Sequence, residues 1–140
     1  IRLSLVGSEM CIRDRVEANT NLDGVWKLAS FYNYRDNVVV DTINADPENL
    51  QVKVFLDNKV MWSRKVPKGN EEYFGYGAYH ITDTTLVEIL EYGSEEMLKV
   101  LDTNRVFSFE LLKSIDTFTQ IDIGPEGDRI FSENYIRIKE

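Results

Sequence analysis

The chain has 140 residues, 43% hydrophobic and 29% charged, with a formal net charge of −8. That length fits one domain, and that balance supports a packed core rather than disorder. The acidic excess excludes a phosphate-backbone binder, so no nucleic-acid partner is expected; the densest basic group, Arg64, Lys65 and Lys68, is soon followed by Glu71 and Glu72. No apolar run approaches the ~20 residues needed for a membrane-spanning helix, so no transmembrane segment is expected. One cysteine, Cys11, and one histidine, His80, exclude an intramolecular disulfide and Cys- or His-rich metal sites, and no cofactor is expected.

The first fifteen residues contain no apolar run long enough for a signal-peptide core. Ser4 to Asp14, SLVGSEMCIRD, resembles a sequencing-adapter read translated into protein and fused to a metagenomic gene fragment. Residues 1–15 are therefore expected to be non-native, with Cys11 among them, and the domain to span residues 21–140.

Period-two alternation runs through most of that domain. Val25 to Tyr32 opens after Gly24 as an apolar, aromatic strand. Asp41 to Leu50 holds Asn44, Asp46, Pro47 and Asn49 and reads as loop or one helical turn. Gln51–Leu56 and Lys59–Lys65 flank Asp57-Asn58, a two-residue turn whose side chains tolerate positive φ, so a hairpin is expected. After a turn at Pro67 to Asn70, Tyr73–Thr82 and Thr85–Gly93 form a second hairpin across Asp83-Thr84. Ser94 to Leu98 fits a short helix with Ser94 as its cap. Arg105–Lys113 and Thr117–Ile123 are strands, Gly124 to Asp128 is a turn, and Arg129–Lys139 closes the chain. Seven or eight strands in meander order imply an all-β fold, either a single antiparallel up-and-down barrel or a sandwich; closure removes exposed edges.

Two ends of this pattern carry a resemblance. Gly24-Val25-Trp26 on the first strand and Arg137 on the last resemble the lipocalin signature, in which a Gly-x-Trp indole packs under an arginine as a cation–π partner. The hairpin Val54 to Trp62, Gly75-Tyr76-Gly77-Ala78-Tyr79, Leu86 to Tyr92 and Glu133 to Arg137 are similar to a bacterial lipocalin-like (calycin) family of unknown function. The resemblance implies a β-barrel of about eight strands and a secreted or cell-envelope setting, and it implies no activity.

If Trp26 and Arg137 face inward, alternation turns Leu28 and Ser30 inward on the first strand, and Phe131, Glu133 and Tyr135 on the last. Phe107, Phe109, Leu111, Ile121 and Ile123 then supply apolar lining. For the strands carrying Trp62, Tyr76 and Tyr79, and Glu88 and Glu91, alternation leaves both faces open. The expected lining is Trp62, Tyr76, Tyr79, Glu88 and Tyr135, with Gly24, Trp26 and Arg137 as the structural signature. Glu88, Glu91, Glu133 and His80 are the acid/base candidates. Ser30, Ser63, Ser108 and Ser132 lack a nucleophile elbow, and Gly75-x-Gly77 lacks the third glycine and helix of a nucleotide site. The leading expectation is non-enzymatic binding of a small, largely apolar or amphipathic molecule. The alternatives are an interaction or envelope-structural domain with a filled interior, and a small isomerase or hydrolase.

Overall fold

The computed structural model describes residues 21–66 and 72–139. The expectations about residues 1–15 and about the turn at Pro67 to Asn70 lie outside these. Nine strands form one antiparallel sheet: β1 (Gly24–Arg35), β2 (Val38–Asn44), β3 (Gln51–Leu56), β4 (Lys59–Arg64), β5 (Tyr73–Ile81), β6 (Thr85–Gly93), β7 (Val106–Lys113), β8 (Thr117–Ile123) and β9 (Arg129–Arg137). A 3₁₀ turn (Pro47–Asn49) precedes β3, and one helix, α1 (Glu95–Leu101), follows β6. Among the described residues no helix is long and apolar enough to cross a membrane.

The sheet closes on itself. β3 to β9 are joined in sequence order, and β9 pairs back onto β1 from Trp26↔Arg137 to Asn33↔Phe131. The opposite edge of β1 is shared: its first residues pair with β3 and its last with β2. All strands but β2 therefore belong to a ring, and the strands' inward faces meet within it.

β2 corrects the sequence reading, which took Asp41 to Asn44 as loop. Asp36 and Asn37 adopt φ of 53° and 65°, the same turn chemistry as Asp57 and Asn58 at 49° and 65°. A second tight hairpin is thereby set at residues 35–38. β2 is exposed along its whole length, so it carries no burial period to read.

Bulges move side chains across the sheet. Leu28 pairs with Tyr135 but Ser30 with Asn134, so Ala29 is an extra residue and the parity of β1 flips. Leu28 faces inward as expected; Ser30 instead lies on the outer face, where its Oγ accepts from Asn134 Nδ2 at 3.0 Å, and Phe31 takes the inward place opposite Glu133. On β8 the inward set is Phe118, Gln120 and Asp122, not Ile121 and Ile123. Ile121 is fully buried on the outer face, opposite Glu110 and Ser132.

One end of the ring is plugged. Trp26 is completely buried, donates Nε1–H to the Leu22 carbonyl at 2.7 Å, and meets Phe118 edge-on at 4.9 Å. The Arg137 guanidinium lies 4.2 Å from the Trp26 ring centroid and donates to the carbonyls of Asp23 and Ile115. Gly24 sits at φ +136°, and a Cβ there would overlap the Arg137 guanidinium, so both backbone and space require glycine. Phe55, Phe118 and Tyr79 complete the plug.

Candidate functional site: an interior cavity with one apolar and one polar wall

Above the plug lies a cavity of about 190 Å³. Its apolar wall is Trp62 (β4), Leu90 (β6), Phe107 and Phe109 (β7), and Met97 from α1. The helix is held there because the Ser94 backbone and side chain both bond Phe74 on β5, turning Met97 and Leu101 inward. Gly75 makes room for the indole: a Cβ there would come within 2.8 Å of Trp62 Nε1. Close packing, not a nucleotide loop, accounts for that glycine.

The polar wall has two parts. At the floor, Lys53 and Glu88 form a fully desolvated ion pair, their side chains 3% and 4% exposed. Lys53 Nζ also donates to Gln120 Oε1 at 2.7 Å. Nearer the rim runs a chain of hydrogen bonds. Arg64 Nε donates to Gln51 Oε1 (2.7 Å), Gln51 Nε2 to the Tyr135 hydroxyl (2.6 Å), and that hydroxyl to Glu133 Oε1 (2.7 Å). Burial, and then the adjacent Glu133 carboxylate, push the Tyr135 hydroxyl well above the usual tyrosine range, so it acts as a donor and not a base. Asp122 stands exposed at the rim; desolvation, and then Glu133, raise its carboxyl above the ordinary range.

The cavity brings together Trp62, Glu88 and Tyr135 of the five lining residues read from the sequence. Tyr79 faces inward but belongs to the plug, packed on Phe55 at 4.6 Å and donating to Asp23 Oδ1; burial and that bond raise its pKa. Tyr76 points outward, its ring against Tyr92 on the outer face, because Gly75, Gly77 and Tyr79 take the inward positions of β5. Glu91 is the extra residue of a bulge on β6 and reaches Lys59 outside the ring. His80 is exposed on the outer face of β5, whereas Glu133 lines the cavity.

Gln51, Lys53, Gln120 and Arg64 were not singled out from sequence. No sequence signal marks them: on β3, Gln51, Lys53 and Phe55 are buried while Leu56 is 59% exposed. Hydrophobic alternation there assigns Val52, Val54 and Leu56 to the inside, which is the reverse of what the fold does.

No described cluster of three or more His, Cys, Asp or Glu side chains is arranged to hold a metal ion. In comparisons with protein-family models, curated proteins and solved structures, nothing matches this chain. The fold and cavity alone define its class: an antiparallel all-β protein whose sheet closes around an amphipathic interior.

Proposed function

We propose that the protein binds a small amphipathic molecule, without transforming it, inside a lipocalin-like β-barrel. The observation that carries this reading is the two-sided cavity: aromatic and aliphatic groups face a wall of hydrogen-bonded polar groups across open space. Such mixed lining is what small-molecule sites use, apolar surface for affinity and a few placed polar groups for orientation. At about 190 Å³ the space is below the 300–1,000 Å³ of sites for drug-sized molecules and just above the 150 Å³ that accepts benzene. The space therefore holds about one ring. The test is saturable binding of a one-ring amphipathic probe with a shift in Trp62 emission. Trp62→Ala should weaken binding while circular dichroism stays unchanged. A folded protein that binds no such probe would hand the lead to a side-chain-filled interaction domain.

A proton-transfer enzyme is the second reading, because two inward glutamates, Glu88 and Glu133, flank the inward Tyr135. The hydrogen bonds weigh against it. The Tyr135 proton is committed to Glu133, Glu88 is paired with Lys53, and the described lining holds no Ser, Thr, Cys or His to act as nucleophile or base.

A further inference from the structure

The floor of the cavity contains buried polar atoms that the described residues leave unsatisfied. Lysine only donates hydrogen bonds, so the Gln120 oxygen must be the atom facing Lys53 and the amide nitrogen must face away. Gln120 is only 7% exposed, it lines the cavity, and its Nε2 finds no acceptor among the described residues. Glu88 mirrors it: Oε2 takes the lysine proton, while Oε1 receives no donor among the described residues although the side chain is 4% exposed. Gln120 Nε2 and the third N–H of Lys53 as donors, and Glu88 Oε1 as acceptor, thus surround one buried ion pair, each costly to leave unpaired. Phe55 and Phe118, both fully buried, belong to the plug beneath the cavity.

Charge decides what kind of group belongs there. Lys53 and Glu88 cancel one another in a desolvated setting. An incoming carboxylate or ammonium would add a net charge beside a buried pair that already neutralises itself, with no free counterion among the described floor residues to offset its desolvation. The unbalanced charges of the lining, on Arg64, Asp122 and Glu133, lie nearer the rim and retain access to water.

We infer that the ligand enters polar end first and that its head group is uncharged, with both a hydrogen-bond acceptor and a donor, as in a primary amide or hydroxyl on an apolar ring. The head oxygen accepts from Gln120 Nε2, the head N–H or O–H donates to Glu88 Oε1, and the ring lies against Phe107, Phe109 and Trp62. This deepens the binding reading above and rests on it.

The test is calorimetric titration of the full chain with five one-ring probes that differ only in head group: toluene, benzyl alcohol, benzamide, benzoate and benzylamine. Benzamide and benzyl alcohol should bind roughly 10- to 100-fold more tightly than toluene, the range that satisfying buried polar groups provides. Benzoate and benzylamine should bind no more tightly than toluene. Gln120→Met should bring benzamide to the level of toluene. Equal binding of toluene and benzamide to the unmodified protein would overturn the inference, leave the binding reading standing and assign water as the partner of Gln120. Tightest binding by benzoate or benzylamine would also overturn it, in favour of the rim charges. No binding by any probe would sink the binding reading itself. The series on the unmodified protein decides the matter even if Gln120→Met fails to fold.

Discussion

Replacing Lys53 alone should harm the protein far more than replacing Lys53 and Glu88 together. Lys53→Met leaves a carboxylate whose side chain is 4% exposed with no cation, and losing one member of such a pair costs about 3–5 kcal/mol. For a domain of this size that is a fall in melting temperature of roughly 10–20 °C. Lys53→Met/Glu88→Leu removes both charges and fills the same volume with apolar atoms, which elsewhere is neutral or stabilising by about 1–4 kcal/mol. Urea unfolding of the four proteins in this cycle yields the coupling directly, and it should exceed about 3 kcal/mol. The double variant should also narrow the preference for benzamide over toluene without abolishing it, because the Glu88 acceptor is gone while Gln120 remains at the floor. A loss below about 1 kcal/mol for Lys53→Met would mean that water reaches the pair, as it does at exposed salt bridges, and the desolvated floor would have to be abandoned.

Trp26→Ala should cost about 3–5 kcal/mol in urea unfolding, as for other buried aromatics, and should couple with Arg137→Ala in a double-mutant cycle; strict additivity would deny their contact. Gly24→Ala should cost about 1–3 kcal/mol, because alanine is strained at φ +136° and its Cβ meets Arg137; an unchanged melting curve would contradict this. Asp122 has a raised pKa in the fold, so its folding contribution is most favourable below the ordinary carboxylate pKa and is lost as pH rises through the raised value. Asp122→Asn should therefore raise the melting temperature slightly at pH 7 and not at pH 3. The raised Tyr79 and Tyr135 lose favourable folding contribution as pH climbs through their folded values, so alkaline difference spectra of the native protein should fall short of all seven tyrosines until it unfolds.

Much of the fold was legible because turn chemistry and alternation are local. Asp57-Asn58 and Gly124 to Asp128 mark real turns, and Gly24, Trp26 and Arg137 meet across the first and last ring strands. The same turn signal at Asp36-Asn37 went unread because β2 has no buried face to give it a period. Parity failed on β1 beyond the bulge at Ala29, since no composition marks that position. The cavity was the hardest part to read. Gln51, Lys53 and Gln120 face inward against the hydrophobic pattern because their partners come from distant strands: Gln51 and Tyr135 are 84 residues apart, and Lys53 and Gln120 are 67 apart. A pattern rule assumes an apolar interior, and this interior is half polar.

The two tryptophans provide the most direct test of the central claim that this interior receives a ligand. Trp26 is sealed in the plug and Trp62 lines the cavity. In ¹H–¹⁵N spectra of the full chain titrated with benzamide, the Trp62 indole resonance should shift saturably while that of Trp26 stays in place. A Trp62 resonance that does not move, or that moves no more than Trp26, would contradict the account.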